Sequence, residues 1–219
     1  MTWGAIFSQP ALQAIIGLSL VLLLALIWGG IHNRRLGQRV LQALTPLQPR
    51  LGKHLHITWQ GSSGFSAAVE EPQAPFRELT LATRLLPRET LPAFWVLLWL
   101  VGRRDVLQIT GTLQAAPRAQ VRLGHRKASA QEGWQTLQTA GGLPAALRGG
   151  EAEQVGAALR PLTEPTAARL VRLSLMPITP HVRAEVALHG LDQARLAALL
   201  ANLSELCQAA ALSPDQRSQ

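Results

Sequence analysis

The chain has 219 residues, 47% of them hydrophobic, with 21 basic and 13 acidic side chains and a net charge of +8. This length and apolar content suffice to bury a core, which excludes wholesale disorder. The single cysteine, Cys207, excludes an intramolecular disulfide and a cysteine-based zinc site, and it suits a reducing compartment.

The first element is an apolar run at residues 11–31, ALQAIIGLSLVLLLALIWGGI, which contains no charged side chain. As a helix it would span roughly 31 Å, close to the thickness of a bilayer's hydrocarbon core. Residues 1–10 lack the basic start of a signal peptide, so the run is predicted to be a retained transmembrane helix. Ala25 and Gly29 have the spacing of closely packed membrane helices, which raises the possibility of a homo-oligomer.

The charges that flank this run predict its orientation. Residues 1–10 contain no Lys or Arg, whereas Arg34, Arg35 and Arg39 follow the run directly. Because basic residues favour the cytoplasmic side, the short N-terminus is expected outside and the long C-terminal part in the cytoplasm. The sequence therefore predicts a single-pass protein of the cell membrane.

The remaining chain divides into three predicted segments. Residues 32–50 are expected to be a basic, amphipathic linker, 51–212 a cytoplasmic domain, and 213–219 a frayed tail. Within the linker, apolar residues recur at helical spacing, which predicts a helical extension with one apolar face. The residues of that face are Leu36, Val40, Leu41 and Leu44.

Within the domain, alternation of apolar and polar residues predicts antiparallel hairpins. The predicted hairpins join 54–60 to 64–70, 106–114 to 119–126, and 168–176 to 180–190, and a further strand spans 76–86. Apolar stripes predict helices over 151–162 and 191–212. The predicted fold class is α+β, with two or three helices packed on a sheet.

The stretch LPAFWVLLWLVGRRD, at residues 91–105, admits two interpretations. The apolar part, 91–101, would measure about 16 Å as a helix, half of what a span requires. It is either a core helix packed on the sheet or an interfacial segment. The interfacial interpretation is favoured by the basic residues that bracket the stretch, Arg84, Arg88, Arg103 and Arg104. In that case the membrane contacts would be Trp95, Trp99, Arg103 and Arg104.

The sequence contains no motif that predicts catalysis or a cofactor. GSSG, at residues 61–64, lacks the lysine of a phosphate-binding loop and is predicted to be a hairpin turn. His54 and His56 share a strand face but have no third metal ligand nearby in sequence, so no metal is expected. Asp105 is expected to pair with Arg103 or Arg104 beside it.

Charge divides the chain into two unequal parts. From Arg34 to Lys127 there are 14 basic and 5 acidic residues, a net +9, whereas the rest has 7 basic and 8 acidic residues, a net −1. A basic half beside a membrane segment can face anionic lipid. Nucleic acid is the other usual partner of such charge, but the aromatic content of 5% offers few stacking residues.

These features favour a non-enzymatic adaptor or assembly module that is held at the inner membrane surface and binds a protein partner. The alternative is a membrane-tethered enzyme or small-ligand binder whose site is assembled from residues distant in sequence. A cluster of His, Glu and Arg in one pocket would favour the alternative, and a continuous apolar or basic surface would favour the adaptor.

Overall fold

In a computed structural model of the chain, a long helix leads into a nine-stranded sheet that carries two further helices. The structure describes residues 10–61, 64–88, 100, 103–124, 133–137, 139, 143–149, 152–164 and 169–211. The helices are α1 (Pro10–Leu44), α2 (Ala152–Thr163) and α3 (Gln193–Ala211). The strands are β1 (His54–Trp59), β2 (Phe65–Glu70), β3 (Phe76–Arg84), β4 (Val106–Leu113), β5 (Gln120–Leu123), β6 (Gln135–Leu137), β7 (Ala145–Arg148), β8 (Leu170–Leu175) and β9 (Val182–Ala187).

The first half of α1 is apolar and exposed. In the helical stretch from Leu12 to Leu51, the most apolar window has a mean hydropathy of 2.5, and only 6% of that window is buried. By length and composition, this helix can cross a bilayer. Its exposure is unlike that of a core helix in a soluble protein. A signal sequence also meets this criterion of length and composition. It differs from a transmembrane anchor in that it is cleaved from the mature chain.

The second half of α1 belongs to the core of the domain. Val40 and Leu44 are buried, as the predicted amphipathic face requires. Pro46 cannot donate a helical hydrogen bond, and α1 gives way there to a 3-10 turn (Thr45–Leu47) and a last helical turn (Gln48–Leu51). These turns bury Leu47 and Leu51. The segment predicted as a linker, residues 32–50, thus supplies part of the core.

The strands form one antiparallel sheet in the order β1-β2-β3-β4-β9-β8-β5-β7-β6. The predicted hairpins β1–β2 and β8–β9 are confirmed. The predicted hairpin of β4 and β5 is wrong, because β4 pairs with β3 and β9 while β5 pairs with β7 and β8. The β8–β9 hairpin lies between them, and its alternation of apolar and polar residues matches that of both neighbours.

One face of the sheet is apolar across β2 to β9. A single row of directly opposed residues crosses eight of the strands, and it consists of Ala67, Leu81, Ile109, Ala184, Leu173, Leu123, Ala145 and Leu137. Helix α3 contributes Leu196, Leu199 and Leu203 to the same core, and α2 contributes Leu159. The α+β class is confirmed, with three long helices among the described residues.

The ends of the strands form two opposite borders of the sheet. We call these borders the near edge and the far edge, and neither name refers to an edge strand. The two borders differ in their surroundings. The near edge is formed where β1, β3 and β9 end and β2, β4 and β8 begin. It lies beside the second half of α1, because the ring of Trp59 comes within 3.1 Å of a Cβ placed on Gly37. The far edge is formed by the opposite strand ends, and Gly52 approaches it at Glu70.

Candidate functional site

The near edge is joined to α1 by a cluster of four residues: Asn33, Leu86, Arg88 and Asp105. We call these the Asn33 cluster. Asn33 is fully buried one turn after the apolar half of α1. Its amide nitrogen donates to the carbonyl of Leu86 at 2.8 Å, and its amide oxygen accepts from the guanidinium of Arg88 at 2.8 Å. The Asn33 side chain therefore forms hydrogen bonds with two groups of the loop that follows β3.

Asp105 completes the cluster from the start of β4. Its carboxylate accepts two hydrogen bonds from Arg88, at 3.0 and 2.6 Å, and a third from the backbone nitrogen of Leu86 at 2.8 Å. The Arg88 and Asp105 side chains are only 16% and 17% exposed. This two-pronged ion pair is the geometry that binds arginine to carboxylate most strongly. The expectation that Asp105 pairs with Arg103 or Arg104 is therefore wrong.

Gly29 brings α1 and this loop into direct backbone contact. A Cβ atom at this position would overlap the carbonyl group of Arg88, so no larger residue fits without a shift. A Cβ atom on the neighbouring Gly30 would meet nothing within 4 Å, so that glycine is under no such constraint. The sequence suggested Gly29 as a contact between two copies of the helix, whereas here the glycine accommodates a loop of its own chain.

The predicted site residues that the structure describes lie on or beside the near edge. Arg34 and Arg35 directly follow Asn33 on α1 and are exposed, and Arg39 is exposed further along the same helix. Arg103 and Arg104 are exposed just before Asp105. Trp95 and Trp99 lie outside the described residues. Within 91–102 only Leu100 is described, and its side chain is 68% exposed.

The fold adds two arginines that sequence analysis did not select. Arg84 ends β3 directly opposite Val106, the first residue of β4, and is exposed. Arg169 immediately precedes β8, and its carbonyl accepts a hydrogen bond from Ala187 at the end of β9. Both arginines occupy strand ends at the near edge. Only the strand order could have revealed this, since the two are far apart in sequence.

The far edge has a different charge pattern. Glu70 and Glu71 lie at the end of β2, and Glu78 lies near the start of β3, among basic residues such as Lys53 and Arg77. Lys53 pairs with Glu71 at 3.3 Å. The described part of the near edge holds mainly arginines, with Asp105 already bound to Arg88. The charge of the basic half is therefore concentrated toward the near edge.

The sheet face opposite the core is polar. A row of directly opposed residues on this face runs through Thr80, Thr110, Arg183, Ser174 and Arg122. The guanidinium of Arg122 lies 4.5 Å from the ring centre of Trp134, within range of a cation–π interaction. A wide, polar sheet face of this kind can contact a protein surface.

The structure places one carboxylate, that of Glu70, beside the histidines that were considered as metal ligands. His54 and His56 are exposed, and His56 lies 3.3 Å from Glu70. Within the described ranges, no three His, Cys, Asp or Glu side chains are placed to hold a metal ion. GSSG connects β1 to β2 as predicted, although Ser62 and Ser63 themselves lie outside the described residues.

Cys207 is an internal residue of α3. Its side chain is fully buried in the core, and burial raises the pKa of its thiol to about 12. A thiol with such a pKa stays protonated at neutral pH and is a poor nucleophile. Cys207 therefore serves as a small apolar side chain.

Shallow clefts occur on the surface of the described residues. One, of about 410 Å³, lies between the end of α1 and the start of α3, where Arg50 and Asp192 face it. A second, of about 350 Å³, lies next to it and combines apolar residues with Gln73 and Glu205. A third, of about 280 Å³, is on the polar sheet face beside Thr80 and Thr110. None of these clefts brings a histidine together with an acid and a base.

The chain matches no protein-family model, and comparison with curated proteins finds no significant relative. Functional inference therefore depends on the geometry described above.

Proposed function

We propose that the protein is a single-pass, non-enzymatic adaptor or assembly module, with residues 11–31 in the cell membrane and the α+β domain at its cytoplasmic surface. The observation that carries this proposal is the continuity of α1. One unbroken helix leads from an exposed apolar half into a buried half that contains Val40 and Leu44. A domain joined in this way is held at one height and one angle to the bilayer.

The Asn33 cluster supports this rigid attachment. It joins α1 to two strand ends within one turn of the last residue of the proposed span. Buried hydrogen-bonded networks of this kind favour a single arrangement of the elements they join. A flexible tether would suffice to keep an enzyme near a membrane, whereas a scaffold must present its surface in a defined direction.

The polar sheet face favours a protein partner over a small-molecule substrate. It is broad and carries side chains of both charges, such as Arg183 and Glu185. The clefts are shallow and lack an assembled acid–base group among the described residues. These are the features expected of an interaction surface, so the enzyme alternative is less well supported.

Membrane insertion and orientation can be tested with one reactive cysteine at a time. In a Cys207→Ala background, Thr2→Cys and Gln38→Cys would be probed with a membrane-impermeant maleimide. We expect Thr2→Cys to react in intact cells and Gln38→Cys to react only after the membrane is opened. Reversed labelling would overturn the orientation, and a mature chain that lacks residues 1–31 by mass spectrometry would overturn the anchor.

The adaptor role can be tested by photo-crosslinking in cells from the polar sheet face. A photoreactive residue at Thr110 is expected to yield one discrete adduct with a protein. The matched position is Gln208, which is exposed on α3. If Thr110 gives no protein adduct, or if both positions give the same set of adducts, the sheet face is not the docking surface.

A further inference from the structure

We infer that the near edge is a binding site for anionic phospholipid headgroups, formed by Arg34, Arg35, Arg84, Arg103 and Arg104. This inference rests on the proposed function, since it requires residues 11–31 to span the membrane. To the proposed function it adds a class of ligand and a set of binding residues, which are distant in sequence and come together only in the fold. Arg169 extends the same edge two strands further along the sheet.

The Asn33 cluster places these arginines around the helix. Arg34 and Arg35 are the next residues after Asn33, whose side chain contacts Leu86 and Arg88. Leu86 is two residues beyond Arg84 and donates its backbone N–H to Asp105. Arg103 and Arg104 immediately precede Asp105. Each of the five arginines is therefore within two residues of a member of the cluster.

The same cluster leaves the five guanidinium groups available. All five side chains are exposed, and none of them forms an ion pair with a described residue. Asp105, the carboxylate in the cluster, is already neutralised by Arg88 at 2.6 Å. Several like charges close together repel one another, and a multivalent anionic surface relieves that repulsion.

The height of this edge matches that of lipid phosphates. Gly29, close to the end of the apolar run, contacts the backbone of Arg88, so the loop after β3 lies level with the end of the proposed span. Headgroups occupy this level in a bilayer. The planar guanidinium group donates paired hydrogen bonds that fit a phosphate, and each basic residue near an anionic surface adds to binding.

Native mass spectrometry of the full chain in a neutral detergent would test the site directly. The probes are phosphatidylglycerol, phosphatidylcholine and soluble glycerol phosphate. The variants are R84Q/R103Q/R104Q at the near edge and R50Q/R77Q/R148Q toward the far edge, which remove the same charge. R84K/R103K/R104K keeps the near-edge charge, and R103Q/R104Q serves if the triple glutamine variant fails to fold.

We expect the unmodified chain to bind phosphatidylglycerol at least tenfold more tightly than phosphatidylcholine. An arginine at an anionic surface contributes about fivefold, so the near-edge glutamine variant should lose at least tenfold. The far-edge variant should stay within about threefold, and the lysine variant, which keeps the charge but loses the paired hydrogen bonds, should bind between the unmodified chain and the glutamine variant. Equal binding of the two lipids, or equal losses at both edges, would overturn the inference. Glycerol phosphate that binds as tightly as the lipid would overturn it in favour of a soluble ligand.

The experiment can exclude the headgroup site without excluding the proposed function. Lipid binding in detergent does not depend on which way the helix is inserted or on a protein partner. A correctly oriented anchor with no preference for phosphatidylglycerol would leave the adaptor proposal intact and remove the headgroup site.

Discussion

Asn33 and Arg88 are 55 residues apart in sequence, yet the amide oxygen of Asn33 accepts a hydrogen bond of 2.8 Å from the Arg88 guanidinium. Arg88 in turn binds Asp105 at the start of β4. This relationship connects the end of the apolar helix half to the sheet, and it determines the orientation of the domain relative to α1.

Replacing Asn33 should destabilise the domain. Asn33→Ala leaves the Leu86 carbonyl without its partner and removes one acceptor from Arg88, in a fully buried position. We expect the free energy of unfolding to fall by about 1–3 kcal/mol, measured by urea denaturation of the full chain in detergent. Gln38→Ala, an exposed amide on the same helix, is the matched control and should change it by less than about 0.5 kcal/mol. Equal effects would show that the buried hydrogen bonds contribute little.

The two adjacent glycines of α1 should respond differently to the same substitution. Gly29→Ala forces a Cβ into the carbonyl of Arg88, whereas Gly30→Ala meets no atom within 4 Å. We expect Gly29→Ala to lower the thermal midpoint of the domain and Gly30→Ala to leave it unchanged or raise it, because alanine has the higher helix propensity. If the two variants unfold alike, the loop does not lie against Gly29.

A double-mutant cycle on Arg88 and Asp105 should reveal strong coupling. Arg88→Ala leaves a largely buried carboxylate without its counter-charge, and we expect a loss of about 2 kcal/mol or more. Asp105→Ala should cost a similar amount, and the double variant should cost clearly less than the sum of the two. Lys53 and Glu71, whose side chains are 60% and 69% exposed, form the control pair, with a coupling below about 1 kcal/mol. Additive losses at Arg88 and Asp105 would contradict the ion pair.

Cys207 should make stability depend on alkaline pH. Burial raises the pKa of its thiol from 9.0 to about 12, so the unfolded chain releases this proton at lower pH than the folded one. The stability that depends on the protonated thiol is therefore fully present below pH 9 and is lost as the pH rises toward 12, by about 1.4 kcal/mol per pH unit at most. The chain has no tyrosine and two lysines, so few other side chains titrate in this window. Cys207→Ala should flatten the slope of unfolding free energy against pH, and an unchanged slope would mean that another group causes it.

Prediction from sequence succeeded where the pattern is local. The apolar and polar alternation in β1, β2, β8 and β9 depends only on which residues face the core, and these strands and their two hairpins were predicted. Strands β6 and β7 were not predicted, because three or four residues are too few to establish a period. The pairing of β4 with β9 was missed because alternation marks a buried face without specifying which strand lies alongside.

The candidate site was predicted in part. Arg34, Arg35, Arg103 and Arg104 were selected because they flank apolar runs, and that signal is visible in the chain itself. Arg84 and Arg88 were noted only as basic residues that bracket the apolar stretch, and Arg169 was not selected. The pairing of Asn33 with Arg88 was not predicted, because a hydrogen bond between residues 55 apart produces no periodic pattern in the sequence.

The sequence by itself determined the apolar helix, the amphipathic extension that follows it, the α+β class and the bias of basic charge toward the first half. Each of these depends on residue type and on spacing along one element. The tertiary structure alone decided the strand order, the Asn33 cluster and the gathering of arginines at the near edge. These depend on contacts between distant segments, whose free energy comes from a shared apolar face and from buried polar groups that must find partners.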